Sequence, residues 1–223
     1  MEGVKRVLGV DPGFTVTGYS ILSSGTQPSQ SRPIPSKSIA LIACGYLKFN
    51  PKNHLSLRTE KFYDTMRDFI LKHQVTHIAL ETSFLGKNPQ VFLKLGYLRG
   101  ILYLLAAQHK LEISEFAPRE VKSAVTGVGG STKEQVAFML AKMFPQLESI
   151  CQTARNDVTD ALAVGICGLW SAAAAENSVN VAQKSLIQKG GSAPKNHLAG
   201  RGKANIRSIA SLKSWPVRLK ISK

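Results

Sequence analysis

The sequence predicts an α/β protein, in which three antiparallel strands open a mixed sheet and helices cover both of its faces. Three apolar or alternating stretches come first, separated by turn residues and by one long polar connection. Helical periodicity appears only after them, in segments that alternate with short apolar strands. This order, βββαβαβααα, is expected from an antiparallel three-strand meander followed by βαβ units, which add parallel strands.

The antiparallel meander is predicted near the N-terminus, with strands over 4–10, 15–22 and 39–49. The first strand ends at Asp11-Pro12-Gly13, which is typical of a tight turn. Residues 23–38 are rich in Ser, Pro and Gln and have no periodicity. A long, mobile hairpin connection is therefore predicted between the second and third strands.

The later elements follow from periodicity and from capping residues. Pro118 is favoured in the first turn of a helix, and Ser131 with Glu134 three residues later matches a capping box. The apolar run 161–175 is shorter than the about 20 residues needed to span a membrane, so we interpret it as a buried helix. The predicted helices cover 55–72, 89–108, 118–125, a segment after Ser131, and 155–174, and the predicted strands cover 76–80 and 111–116.

The chain is strongly basic, with 29 Lys+Arg against 14 Asp+Glu and a formal net charge of +15. Such a protein is drawn to polyanions, with nucleic acid the first expectation and an anionic membrane surface the second. From residue 176 onward, ten basic residues accompany a single acid in a polar, aperiodic sequence. We therefore predict a folded domain over 1–175 and a basic, flexible tail over 176–223.

The cysteines and the N-terminus indicate a cytoplasmic protein. Cys44, Cys151 and Cys167 lie far apart without a C-x-x-C motif, which argues against both a disulfide framework and a zinc site. Small buried thiols in a reducing compartment fit this pattern. The apolar run over 7–10 is too short for a signal peptide, so we expect neither secretion nor a membrane location.

Four carboxylates stand out by their position. Asp11 and Glu81 each end a predicted buried strand, and Asp157 and Asp160 lie three residues apart on one helix face. Taken singly, Asp11 suits a turn, Glu81 a strand-end charge, and Asp157 a helix N-terminus. Taken together they suggest a cluster, because central strands of one sheet end side by side and a helix can lay its acids across them.

Clustered carboxylates raise one another's pKa unless a cation neutralises them. Hard divalent ions with oxygen ligands, Mg²⁺ or Mn²⁺, fit that need. Two such ions about 3.5–4 Å apart can activate a water and stabilise the leaving 3′-oxygen of a phosphodiester. The pattern therefore predicts a metal-dependent nuclease with two ions per active site.

The N-terminal motif alone allows another interpretation. Asp11-x-Gly13-x-Thr15-x-Thr17-Gly18 also suits the phosphate-binding hairpin of actin-like ATPases and sugar kinases. Those proteins need a second domain of comparable size, for which 223 residues leave no room. Glu81 and the segment 156–161 favour the nuclease.

With these motifs in place, the sequence over 8–170 resembles the RuvC family of Holliday-junction resolvases, which belong to the ribonuclease-H-like superfamily. The order and spacing of the motifs carry the resemblance. They are Leu8-Gly9-Val10-Asp11-Pro12-Gly13, Thr17-Gly18-Tyr19, Leu80-Glu81-x-x-Phe84, Lys87-Asn88, Leu93-Lys94-Leu95-Gly96-x-x-Arg99-Gly100, Val121-Lys122-x-x-Val125-x-Gly127-x-Gly129 and Asp157-x-x-Asp160-Ala161-Leu162-Ala163.

The resemblance implies a ribonuclease-H-like fold and a structure-selective DNA endonuclease that resolves Holliday junctions by paired symmetric nicks, in recombination and DNA repair. Its metal ligands and catalytic residues would be Asp11, Glu81, Asp157 and Asp160. DNA binding would involve Phe84, which would stack on a base near the junction centre, and Lys122 and Lys133, which would contact phosphates.

The family also implies a homodimer and a partner, a branch-migration motor of the RuvA and RuvB type. The helix with Gly96 and Gly100 resembles the family's dimer-contact helix, although packing within the monomer would use small residues equally well. The sequence departs from the family in its long 23–38 connection and its tail after 176. A non-catalytic junction-binding module on the same fold is the alternative, but clustered acids facing phosphate give a simple binder no advantage.

Overall fold

The computed structural model describes residues 4–25, 38–82, 89–145, 147 and 156–189. The described residues form two units in the chain, 1–183 and 184–223, and only 184–189 of the second are described. The predicted tail therefore lies largely outside the described residues, and the boundary at 175 stays a prediction.

A single five-stranded sheet forms the framework. Its strands lie side by side in the order β3-β2-β1-β4-β5. β1, β2 and β3 pair antiparallel, whereas β1, β4 and β5 pair in parallel. The predicted meander with added parallel strands is confirmed. The strands are β1 (Arg6–Asp11), β2 (Val16–Gly25), β3 (Ser38–Lys48), β4 (His77–Glu81) and β5 (Glu112–Phe116).

The β2–β3 hairpin is longer than predicted. Its pairing continues to Gly25 opposite Ser38, so part of the expected 23–38 connection belongs to the sheet. Strand pairing outweighs the poor local strand propensity of Ser and Gly, because each added pair of residues extends the hydrogen-bond ladder between the two strands. The remainder, 26–37, lies outside the described residues.

Helices cover both faces of the sheet, as predicted. Leu8, Ile21 and Ile78 point to one face, where they pack against α1 and α2 in one core cluster. Val7 and Ala79 point to the other face, where α3, α4 and α5 enclose a second cluster. The helices are α1 (Leu55–His73), α2 (Pro89–His109), α3 (Pro118–Thr126), α4 (Lys133–Met143) and α5 (Asn156–Lys189).

Two helix ends differ from the prediction. The α4 cap is Thr132, which accepts from the Gln135 backbone N–H, while Gln135 Oε1 accepts from the Thr132 N–H at 2.9 Å. Ser131, predicted as the cap, is buried and bonds the Val128 carbonyl, so its hydroxyl is committed to the preceding turn. α5 continues past the predicted end at 174 to Lys189, because no Gly or Pro interrupts the segment before Gly190.

The apolar segment at the start of α5 is core, as predicted: residues 161–169 are buried. Of the cysteines, Cys167 is buried and Cys44 half-buried, neither forms a disulfide within the described part of the chain, and Cys151 lies outside it. In the described part of the chain, α2 alone is long and apolar enough to cross a membrane by length and composition. The core helix of a soluble protein and a signal sequence can have the same length and apolar composition.

Candidate active site

The parallel pairing of β1 and β4 brings the first two predicted acids together. Val10 lies opposite Leu80 in the ladder, so the next residues, Asp11 and Glu81, stand at the same edge of the sheet on neighbouring strands. Both are half-buried. The strands alone therefore place two carboxylates at this edge of the sheet, and the acids of a helix add to them.

Glycines on the sheet let α5 approach this edge. Gly18 pairs with Asp11 across the β1–β2 ladder, and a Cβ on Gly18 would lie 1.9 Å from the Asp157 carbonyl oxygen. A Cβ on Gly9 would likewise lie 2.4 Å from the Ala161 carbonyl oxygen. Since real Cβ contacts are much longer, only glycine permits α5 to lie this close. The close packing carries Asp157 and Asp160 to Asp11.

Thr17 of the N-terminal motif has a structural role. Its hydroxyl donates to the Gly13 carbonyl at 2.9 Å and accepts from the Gly13 N–H at 3.1 Å. The buried side chain thereby closes the turn that follows Asp11. The spacing that also suited a phosphate-binding hairpin serves here to fix the end of β1.

The electrostatics identify the four acids as one cluster, which we call the acidic edge (Asp11, Glu81, Asp157 and Asp160). Burial, followed by the charges of Asp160, Asp157 and Glu81 in that order, raises the pKa of Asp11 to about 7, while the charge of Lys133 opposes this rise. Burial and then Asp160 also raise the pKa of Glu81, against Lys133 and Lys122. Asp11 is therefore about half protonated at neutral pH, and a metal ion could replace this proton.

The two predicted lysines lie near the acids. Lys133 Nζ is 2.8 Å from Asp160 Oδ2, and this hydrogen bond raises the pKa of the lysine. Its side chain is 64% exposed, so it is free to exchange Asp160 for another anion. Lys122 is close enough to Glu81 to affect its pKa. Phe84, the predicted base-stacking residue, lies outside the described residues, as do Lys87 and Asn88.

A divalent metal fits the acidic edge by charge and donor type. Within the described ranges, no three acid, imidazole or thiolate side chains already converge as a complete metal cage. The donors are nevertheless all carboxylate oxygens, the ligands that hard cations prefer. The raised pKa of Asp11 further indicates an excess of buried negative charge that a cation would relieve.

Arg99 on α2 contacts the backbone of Glu81, a role that its sequence motif does not predict. Its Nη1 donates to the Glu81 carbonyl at 2.7 Å, and its Nη2 lies 2.5 Å from Glu115 Oε1. The same Glu115 oxygen accepts from the Tyr103 hydroxyl at 2.7 Å. The ion pair with Glu115 thereby orients Arg99 of α2, and Arg99 in turn holds the backbone of Glu81. The resemblance had included Arg99 in a matched motif, but only the fold reveals its partner.

Known proteins are similar to the chain over about three quarters of its length. The family model for the crossover junction endodeoxyribonuclease RuvC matches residues 7–168. The RuvC of Chlorobium phaeovibrioides is 41% identical over 163 residues, which cover 73% of this chain and 80% of that protein. The RuvC of Legionella pneumophila is 32% identical over 161 residues, covering 72% and 84%.

Solved structures show the same fold. Thermus thermophilus RuvC in complex with a Holliday junction substrate aligns with a TM-score of 0.61 at 19% identity, covering 74% of this chain and 92% of that one. The yeast mitochondrial Holliday junction resolvase aligns with a TM-score of 0.54 at 15% identity, covering 73% and 77%. By the extent of the family match and the identity to its members, the chain belongs to the RuvC family of crossover junction endodeoxyribonucleases.

Proposed function

We propose that the chain is a metal-dependent DNA endonuclease that resolves Holliday junctions by paired symmetric nicks, in recombination and DNA repair. The observation that carries the proposal is the acidic edge, where Asp11 and Glu81 on neighbouring strands meet the acids of α5. Membership of the RuvC family supports the substrate. The bacterial relatives support a cytoplasmic location.

The catalytic residues in this proposal are Asp11, Glu81, Asp157 and Asp160, which would hold Mg²⁺ or Mn²⁺, two ions per site. When bound, such ions activate water and stabilise the leaving oxygen of a phosphodiester. Asp11 is central, because the other three acids all act on its carboxyl group and it must give up its proton before it can hold a cation.

The lysines and Phe84 would act on the DNA. Lys133 and Lys122 lie beside the acids, where their ammonium groups can contact a phosphate or the negative charge that develops on cleavage. Lys133 would leave Asp160 as DNA and metal enter. Phe84 follows the strand that ends in Glu81, and we assign to it the stacking on a base near the junction centre.

A homodimer formed through α2 is the assembly we propose. Leu93 and Tyr97 on this helix are 64% and 53% exposed, and a Cβ on Gly96 or Gly100 would have no neighbouring atom within 4 Å among the described residues. Packing within the monomer therefore does not explain these small residues, whereas a second helix could approach closely along them. Two-fold symmetry would present two active sites for two opposed strands. A branch-migration motor of the RuvA and RuvB type would be the partner.

The dimer is tested with Leu93→Lys by sedimentation equilibrium. We expect the dimer dissociation constant to rise about 10- to 100-fold, because a charge would be buried at the interface centre. Leu71→Lys on α1 is the matched control, since Leu71 is 57% exposed but lies on another helix. Equal dimerisation of both variants would exclude α2 as the interface.

The activity is tested with a synthetic four-way junction and a linear duplex of the same sequences. In Mg²⁺ the wild-type chain should nick two opposed strands of the junction symmetrically and spare the duplex. Asp11→Asn should bind the junction without cutting it. Binding without cleavage by the wild type, in both Mg²⁺ and Mn²⁺, would favour the non-catalytic binding module.

A further inference from the structure

Two depressions adjoin beside the acidic edge and share Arg58. The first, of about 470 Å³, lies between the β1–β2 turn, Lys94 of α2 and Asp157 of α5. The second, of about 410 Å³, lies between the β3–α1 connection and α1, and Lys48 and Lys61 line it. We call the pair the basic trough (Lys48, Arg58, Lys61 and Lys94). It begins at an active-site acid and leads away from it.

Two cations of the trough, Arg58 and Lys61, contact neutral groups. The Arg58 guanidinium lies 5.4 Å from the centroid of the Phe14 ring, and its Nη1 donates to the Phe14 carbonyl at 3.3 Å. Lys61 Nζ lies 5.8 Å from the centroid of the Phe49 ring and donates to the Lys48 carbonyl at 3.3 Å. Aromatic faces and carbonyl oxygens orient a cation without cancelling its charge.

The basic trough differs in this respect from other cations of the described chain. Arg67 is paired with Asp64 and Asp68, and Lys133 with Asp160. Within the described residues, neither Arg58 nor Lys61 forms an ion pair with an acid. Oriented cations with uncancelled charge favour an anionic ligand, and cations distributed over two depressions that share Arg58 favour a ligand long enough to span both.

We infer that the basic trough binds the sugar–phosphate backbone of the DNA arm that leads away from the cleavage site. The inference rests on the proposed function, since a strand whose phosphate reaches the acidic edge must continue across a neighbouring surface. Asp157 borders the trough, so the strand can pass directly from one to the other. Arg58 suits two-point binding of a phosphate, and the lysines act as point charges.

The test measures salt-dependent binding of a four-way junction by the full-length chain carrying Asp11→Asn, so that no strand is cut. Each lost phosphate contact lowers the slope of log K against log salt by about 0.9, so Arg58→Gln with Lys61→Gln should lower it by about 2. Circular dichroism checks that the double variant is folded. Arg58→Lys with Lys61 intact should keep the slope close to that of the parent.

Lys72→Gln provides the matched control, because Lys72 lies in the last turn of the same helix, away from the trough. Its slope should stay within measurement error of the parent. An unchanged slope in the double variant, or an equal fall for Lys72→Gln, would overturn the inference. If the parent chain itself prefers the junction no more than a linear duplex, the proposed function fails instead.

Discussion

The acidic edge and the basic trough are neighbours that handle like charge in opposite ways. At the acidic edge the carboxylates are partly buried, and burial together with mutual repulsion raises the pKa of Asp11 to about 7. In the trough, Lys61 is exposed and Arg58 is half-buried, each cation lies over an aromatic ring, and solvent at the exposed lysine limits their repulsion. Carboxylates that are clustered and partly buried favour a small multivalent cation. Cations that are spread over a more open surface favour a ligand with a row of single negative charges, such as the DNA backbone. This contrast underlies our proposals that the acidic edge binds metal and that the basic trough binds the DNA backbone.

The largest effect should come from Asp11→Asn at the acidic edge. Removing the central carboxylate should reduce single-turnover cleavage of a four-way junction by at least about 10³-fold, as for loss of a charge that stabilises the transition state. Junction binding should persist, because the trough is untouched. Cleavage at the wild-type rate would show that the acids have another purpose.

Asp11 is required for cleavage in this account, but in the metal-free protein its ionised carboxylate should destabilise the folded state. Folded Asp11 takes up its proton near pH 7 but an unfolded aspartate does so near 3.8, so the folded state loses stability as pH rises between these values. The loss should approach about 4 kcal/mol at most, at about 1.4 kcal/mol per pKa unit. Urea unfolding in a chelator at pH 5 and pH 8 should show a smaller decline for Asp11→Asn than for the wild type. An equal decline would mean that burial does not strain this carboxylate.

Arg99 should affect the acidic edge through the backbone of Glu81. Arg99→Gln removes the 2.7 Å hydrogen bond to the Glu81 carbonyl, and the cleavage rate at saturating junction should fall about 10- to 100-fold, as for other groups that orient metal ligands. The junction dissociation constant should change little, and Arg99→Lys should recover part of the rate. A change in binding alone would place Arg99 on the DNA surface instead.

The smallest effect should come from the ring beneath Arg58. Phe14→Leu keeps an apolar side chain but removes the aromatic face 5.4 Å from the guanidinium. Since an exposed cation–π contact contributes about 0.5–1 kcal/mol, junction affinity should fall about two- to fivefold. Phe138→Leu, which removes the ring beneath Lys142 on α4, is the control and should leave affinity unchanged. A matching fall in the control would point to a general effect of aromatic loss.

The features that could be predicted from the sequence are those that depend on hydrophobic periodicity and on acids at strand ends. The meander, the parallel strands and the meeting of Asp11 with Glu81 follow from patterns within a few residues of each position. Arg58 with Phe14, and Arg99 with Glu81, are 44 and 18 residues apart in the chain, so only the fold brings them together. The cap of α4 differed because the buried Ser131 bonds its own turn. The catalytic and DNA-binding roles of individual residues, Phe84 among them, stay predictions.

The binding of Mn²⁺ in the absence of DNA tests the central claim, that the acidic edge is a cation site, most directly. Electron paramagnetic resonance titration counts free and bound Mn²⁺ without relying on cleavage. The wild type should bind about two ions per chain, as in two-metal phosphodiesterases, more tightly as pH rises through 7. Asp11→Asn should weaken this binding at least about tenfold, as loss of even an outer-shell ligand partner does. Equal Mn²⁺ binding by the wild type and Asp11→Asn would contradict the assignment of metal to this edge.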